Sequence, residues 1–371
     1  MTNPVREAQR IGQSIWLDYI RRDILNSGEF QRLIKLGVSG VTSNPTIFEK
    51  AITGSNNYDK ALLAMAQAGK STEETYEALV IEDVRAAADM LRSTYNHTAG
   101  ADGYVSLEVN PLLAYDTDST IAEARRLFTT LRRPNIMIKV PATPEGIPAI
   151  KQLIGEGINV NATLIFSLDI YKQVREAYIA GLEELARTDG DLSRVASVAS
   201  FFISRIDTAV DTLLEERIQK GQKQPKSLLG KAAVASAKLA YQAFKTTFSS
   251  KHFASLKAKG ARVQRPLWAS TSTKNPAYSD VLYVEPLIGP DTVNTMPPTT
   301  LTAFLEHGRA EATLERDVPE AEQALEAIAK AGISMEQVTA KLLADGVKAF
   351  IDSFEKLLAN IKEKRALLLA Q

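Results

Sequence analysis

The sequence predicts an α/β protein, a (β/α)8 (TIM) barrel with additional helices. Three observations predict it. Short apolar, β-branched runs alternate with amphipathic stretches at helical spacing along the 371 residues, as in a parallel sheet with helical crossovers. The runs number eight, the count that a closed barrel requires. Polar residues recur on one face of several runs, near the C-terminal strand ends where such barrels build their sites.

In order, the expected strands are SIWLDY (14–19), GVSGVTS (37–43), YVSLEV (104–109), IMIKV (136–140), VNATLIF (160–166), VASVASF (195–201), PLWAS (266–270) and VLYVE (281–285). Helical spacing marks 72–95, 118–131 and 167–186. Asp118 or Ser119 and Ser167 are the expected N-caps of the last two. Residues 207–262 read as a helical insertion between strands six and seven. Residues 299–371 read as C-terminal helices packed against the outside of the barrel. QKGQKQPK (219–226) reads as a solvated turn. No low-complexity linker divides the chain, so residues 1–371 are expected to form a single domain.

Composition narrows the function. Lys+Arg 44 against Asp+Glu 44 leaves no net field to favour nucleic acid or an anionic membrane. The absence of cysteine removes disulfides, thiolate metal sites and a cysteine nucleophile. His97, His252 and His307 are far apart and read as surface or packing residues, so neither a metal nor a cofactor is expected. The N-terminal stretch lacks an apolar signal core and no run is long enough to span a membrane. A cytoplasmic protein is the expectation.

The chemistry turns on Lys139, which stands in IMIKV among Ile136, Met137, Ile138 and Val140. An ammonium in a buried strand is costly unless it is paired or used. Alternation along the strands places Lys139 on an inward face with Asp18, Thr42, Asn44, Ser106, Glu108, Asn161, Thr163, Ser200 and Phe202. A core selected only for stability would carry leucine and valine there, because a buried polar group costs about 1–3 kcal/mol when unpaired. Burial disfavours a lysine ammonium, and the free amine attacks a ketone to form a Schiff base. The iminium then draws electrons from the neighbouring carbon–carbon bond. Asp18 and Glu108 are the carboxylates available to move protons.

The motifs GVSGVTSNPTIFEKAI, VSLEVNP, IMIKVPAT, INVNATLIFS, SVASFFISRID and PLWASTSTKNPAYSD, followed by TVNTMP, occur in this order. Together they closely resemble the longer bacterial form of transaldolase, over nearly the whole chain. The resemblance implies a Schiff-base barrel of the non-oxidative pentose phosphate pathway. Such enzymes move a dihydroxyacetone unit from sedoheptulose 7-phosphate or fructose 6-phosphate to glyceraldehyde 3-phosphate or erythrose 4-phosphate. By motif match Lys139 is the Schiff-base lysine and Asp18 takes the C4 hydroxyl proton. Glu108 and Thr163 hold a water, and Asn44, Asn161 and Ser200 hold the dihydroxyacetone hydroxyls. Arg205 matches the phosphate-binding arginine; an Arg205–Asp207 ion pair is the competing reading. The shorter transaldolases carry a second arginine where this chain reads ASTSTKN, and Lys274 is the nearest cation, with Ser270 and Ser272 beside it.

Two rivals stand beside this reading. One is an aldolase like fructose-6-phosphate aldolase, which releases free dihydroxyacetone; it carries a tyrosine at the place of Phe202. The other is a barrel that binds sugar phosphates without catalysis. The expected partners are sugar-phosphate substrates, with no nucleic acid and no membrane. Neither the oligomeric state nor a role for the insertion follows from the sequence.

Overall fold

A computed structural model describes residues 3–221 and 226–370. Eight parallel strands hydrogen-bond in sequence order and close, the last beside the first. They are β1 (Gln13–Leu17), β2 (Val38–Thr42), β3 (Val105–Glu108), β4 (Ile136–Pro141), β5 (Val160–Ile165), β6 (Ser197–Phe202), β7 (Arg265–Ala269) and β8 (Thr292–Met296). The first seven lie on the expected runs.

The eighth does not. VLYVE (281–285) is a turn that leads into the 3-10 turn Glu285–Leu287. Val281, Tyr283 and Val284 are buried, but Pro286 has no N–H to offer a ladder. The barrel closes through TVNTM instead, in register from Gln13↔Thr292 to Leu17↔Met296. Several of this strand's polar groups find buried partners. Thr292 Oγ1 accepts from Gln13 Nε2 at 3.0 Å, and Thr295 meets the Thr42 hydroxyl at 2.6 Å. Asn294 Nδ2 donates to Tyr283 O at 3.2 Å, so the misread segment braces the true strand.

The helices follow the expected pattern with local differences. The 72–95 stretch is a helix, Thr72–Met90, started by a Ser71/Glu74 capping box and followed across Leu91 by Arg92–His97. The next helix, Thr117–Leu131, is capped by Asp116, whose carboxylate accepts from Ser119 N–H at 3.0 Å. Asp118 and Ser119 therefore sit inside its first turn. Ser167 caps Leu168–Arg187 as expected. Between β6 and β7 run Ser204–Gln219, Ala232–Phe248 and Lys251–Lys257. Of the QKGQKQPK turn, residues 222–225 lie outside the described residues.

The C-terminal helices correct a further expectation. The last, Met335–Leu369, packs on the helices Pro45–Thr53 and Asp59–Gln67, and it also reaches over the barrel mouth. Gly346 lets it come close there. A Cβ at that position would stand 3.1 Å from Leu164 Cδ2 and 3.6 Å from Arg205 Nη1. Strand alternation would turn Leu164 outward with Val160 and Ala162, but it meets this helix instead. Its backbone is left-handed (φ 58°) and the β5–β6 register slips between Ala162 and Ile165, so alternation fails at the strand's end. Among the described residues no helix is long and apolar enough to cross a membrane.

Candidate active site

Strand register assembles one layer of the site. Glu108 on β3 pairs with Lys139 on β4, and Lys139 with Asn161 on β5. Neighbouring residues at one height in a parallel barrel share a layer of its interior. Lys139 is 4% exposed. Its Nζ donates to Ser43 O at 3.2 Å and stands 3.5 Å from Glu108 Oε2. That separation is an ion pair too long for a good hydrogen bond. Glu108 Oε2 and Thr163 Oγ1 are both buried without a hydrogen-bond partner among the described residues.

A cavity of about 380 Å³ opens at the strands' C-terminal ends. Lys139, Asp18, Asn44, Ser200, Phe202, Arg205 and Lys274 line it. Asn161 and Thr163 are fully buried and lie outside that lining. Asn161 instead orients its neighbours: Nδ2 donates to Ser106 Oγ at 3.1 Å, and Oδ1 accepts from Ser200 Oγ at 2.7 Å. Asn44 has a structural duty as well. It is the N-cap of Pro45–Thr53, its Oδ1 accepting from Ile47 N–H at 2.9 Å. Glu108 lines a neighbouring cavity of about 430 Å³ between β3, the helices Thr72–Met90 and Thr117–Leu131, and the C-terminal helix.

Both carboxylates are shifted upward by burial. Burial pushes Glu108 up to about 7, against the opposing pull of Lys139. Burial also raises Asp18 above the ordinary range, opposed by Lys139 and by the Thr42 hydroxyl, which donates to Asp18 Oδ1 at 2.7 Å. With its carboxyl near 7, Glu108 can take or give a proton at working pH.

The other end of the cavity is cationic. Arg205 stands in the first turn of Ser204–Gln219, its guanidinium 5.3 Å from the Phe202 ring. It makes no ion pair with Asp207, which binds Tyr283 and Ala233 N–H instead. Lys274 reaches in from the exposed loop after β7, beside Ser270 and Ser272. Burial lowers both cations, and the Arg205 charge lowers Lys274 further. Asp18 opposes the shift in both, and among the described residues neither cation has a carboxylate within ion-pair distance.

Sequence reasoning missed Lys50, Tyr19, Thr295 and Phe350, all in the cavity wall. Lys50 lies in the quoted SNPTIFEK motif and could have been found there. Phe350 could not, since only the docking of a distant helix brings its ring to 5.6 Å from Lys139 Nζ. The three histidines are exposed and pair locally with Ser93, Glu183 and Asp280.

The family described as Transaldolase/Fructose-6-phosphate aldolase matches residues 15–361. Among curated relatives, a transaldolase of Trichodesmium erythraeum is 46% identical, over 98% of this chain and 98% of its own. A transaldolase of Thiobacillus denitrificans is 49% identical, over 97% and 99%. One of Thermobifida fusca is 47% identical, over 99% of each chain. The chain belongs to the transaldolase/fructose-6-phosphate aldolase family.

Proposed function

We infer that this chain is a transaldolase of the non-oxidative pentose phosphate pathway, working through a Schiff base on Lys139. The observation that carries the reading is the buried Lys139–Glu108 pair, with Lys139 opening into a cavity that Asp18, Arg205 and Lys274 also line. The Lys139 amine adds to the ketone carbon of a ketose phosphate. The carbinolamine loses its hydroxyl as water, with the proton supplied from Glu108 through a water held between Glu108 and Thr163. Both of those side chains have a buried oxygen that a water would satisfy.

The iminium is the electron sink. Asp18 takes the proton of the C4 hydroxyl, the C3–C4 bond breaks, and its electron pair enters the enamine while the aldose phosphate leaves as an aldehyde. The enamine then attacks the acceptor aldehyde, Asp18 returns its proton, and water hydrolyses the imine. Asn44 and Ser200 hold the dihydroxyacetone hydroxyls, with Asn161 orienting Ser200 from beneath. Arg205 and Lys274 hold the phosphate, the guanidinium in bidentate fashion.

Transfer rather than release requires that the enamine be denied a proton. Phe202 offers only its ring there, packed 5.2 Å from Phe166. The test is a coupled assay with fructose 6-phosphate, with and without erythrose 4-phosphate. Glyceraldehyde 3-phosphate should accumulate over many turnovers only when the acceptor is present. Multiple turnovers with free dihydroxyacetone and no acceptor would favour the aldolase, and no turnover at all a binding protein.

A further inference from the structure

The two cations of the phosphate end sit on segments that share no regular structure, one on a helix and one on a loop. The same helix, and the stretch of chain that follows Lys274, carry a polar cluster that no step of the reaction uses. Asp207 and Asp211 follow Arg205 on the helix Ser204–Gln219 and are buried, 1% and 8% exposed. Asp207 Oδ1 accepts from Ala233 N–H at 2.8 Å, and Oδ2 accepts from the Tyr283 hydroxyl at 2.9 Å. Asp211 accepts from Gly230 N–H at 3.0 and 3.2 Å, and from the Tyr278 hydroxyl at 2.7 Å.

The donors come from two places. Both amides belong to the insertion, at and just before the start of the helix Ala232–Phe248. Free N–H groups and the helix dipole favour a negative charge there. Both hydroxyls belong to the stretch that carries Lys274, Tyr278 being four residues beyond it. Gly230 fits this arrangement alone: its backbone is left-handed (φ +68°), and a Cβ would stand 3.0 Å from Tyr278 Cζ.

Two carboxylates one helical turn apart repel, and among the described residues neither has a cationic partner within ion-pair distance. Only these hydrogen bonds offset the cost of burying them. Apolar residues would fill the same space more cheaply, so the arrangement is better explained by what it holds in place.

We propose that Asp207 and Asp211 are positioning residues of the phosphate end, clamping the Lys274 loop to the Arg205 helix through Tyr278 and Tyr283. The helical insertion supplies the amide half of the clamp. This inference rests on the reading of Arg205 and Lys274 as phosphate contacts.

Tyr278→Phe removes one hydroxyl from a partly exposed ring, and Asp211→Asn keeps the side-chain shape should the first change be too mild. Both are measured for KM and kcat with fructose 6-phosphate, for kcat/KM with unphosphorylated fructose, and for inhibition by inorganic phosphate. The clamp should show as a rise of about fivefold in KM and in the phosphate inhibition constant, with kcat and the fructose reaction little changed. In a Lys274→Ala background the Tyr278→Phe change should add nothing, since the clamp acts through Lys274. Equal losses with fructose and fructose 6-phosphate, or full additivity with Lys274→Ala, would show a merely structural role and overturn the proposal. If Arg205→Ala and Lys274→Ala weaken phosphate inhibition while neither clamp variant does, only the clamp falls. If those two alanine variants leave phosphate inhibition unchanged, the phosphate reading falls and the clamp with it.

Discussion

The two ends of the cavity are built by different means. At the lysine end, Glu108, Lys139 and Asn161 project from adjacent strands paired residue to residue. The pleat of each strand decides where they point. At the phosphate end, Arg205 comes from the helix Ser204–Gln219 and Lys274 from the loop after β7. Their meeting depends on packing between remote segments. On the proposed reading, the difference separates chemistry, held by the strand ladder, from substrate grip, held by segments that dock onto it.

The largest effects should follow changes at the lysine end. Lys139→Arg keeps the charge beside Glu108 but cannot form an imine, because a guanidinium stays protonated. Turnover should fall by more than about 10³-fold, with thermal melting near that of the parent. Residual activity within about tenfold of wild type would remove the lysine from the mechanism.

Glu108 should come next, and with a pH signature. Its carboxyl is pushed up to about 7, so the acid form predominates below that value and is lost as pH rises through it. Acid-assisted loss of water from the carbinolamine should fade over the same window. Single-turnover imine formation should therefore slow above about pH 7, and Glu108→Gln should be slower by about 10²-fold and flat there. Asp18→Ala should form the imine normally and fail at bond cleavage. Were Asp18→Ala slow to form the imine and Glu108→Gln normal, the two roles would be exchanged.

The same contrast governs what the sequence made legible. Alternation is a local property of a strand, so Lys139, Asp18, Glu108, Asn161 and Ser200 could be placed on one face from the sequence. It failed where the backbone leaves the strand, at Leu164, whose left-handed φ turns it toward the C-terminal helix. The eighth strand was misread because an apolar run was sought. TVNTM buries Thr292 and Thr295, whose hydroxyls meet partners on β1 and β2, and no local pattern announces those partners. The reach of the last helix over the mouth, the amides that the insertion gives to Asp207 and Asp211, and the place of Phe350 are all products of long-range docking. Lys274 was reached through resemblance and position in the chain, not through periodicity.

Changes at the phosphate end should be smaller and selective. Arg205→Ala should raise KM for phosphorylated substrates with little change in kcat, since the contact is common to ground and transition states. Loss of one charged hydrogen-bonded contact costs about 1.5–3 kcal/mol, or roughly 10- to 150-fold in KM. Lys274→Ala should do less, because its ammonium sits at an exposed rim. An equal penalty on an unphosphorylated ketose would show that the two ends are not separable in this way.

The smallest effect should come from Phe202, which lies between the two ends. Phe202→Tyr places a hydroxyl near the enamine and should raise dihydroxyacetone release relative to transfer, by less than about tenfold. Phe202→Leu should not. Equal changes from both would mean that the ring acts by packing alone.

The central claim is a covalent bond to one nitrogen, and it can be read directly. The protein is incubated with fructose 6-phosphate, reduced with borohydride, digested and weighed by mass spectrometry. The account requires a reduced dihydroxyacetone adduct on the peptide carrying Lys139, present in the parent and in Glu108→Gln at longer times, and absent in Lys139→Arg. No adduct, or one that persists on another lysine in Lys139→Arg, would contradict it.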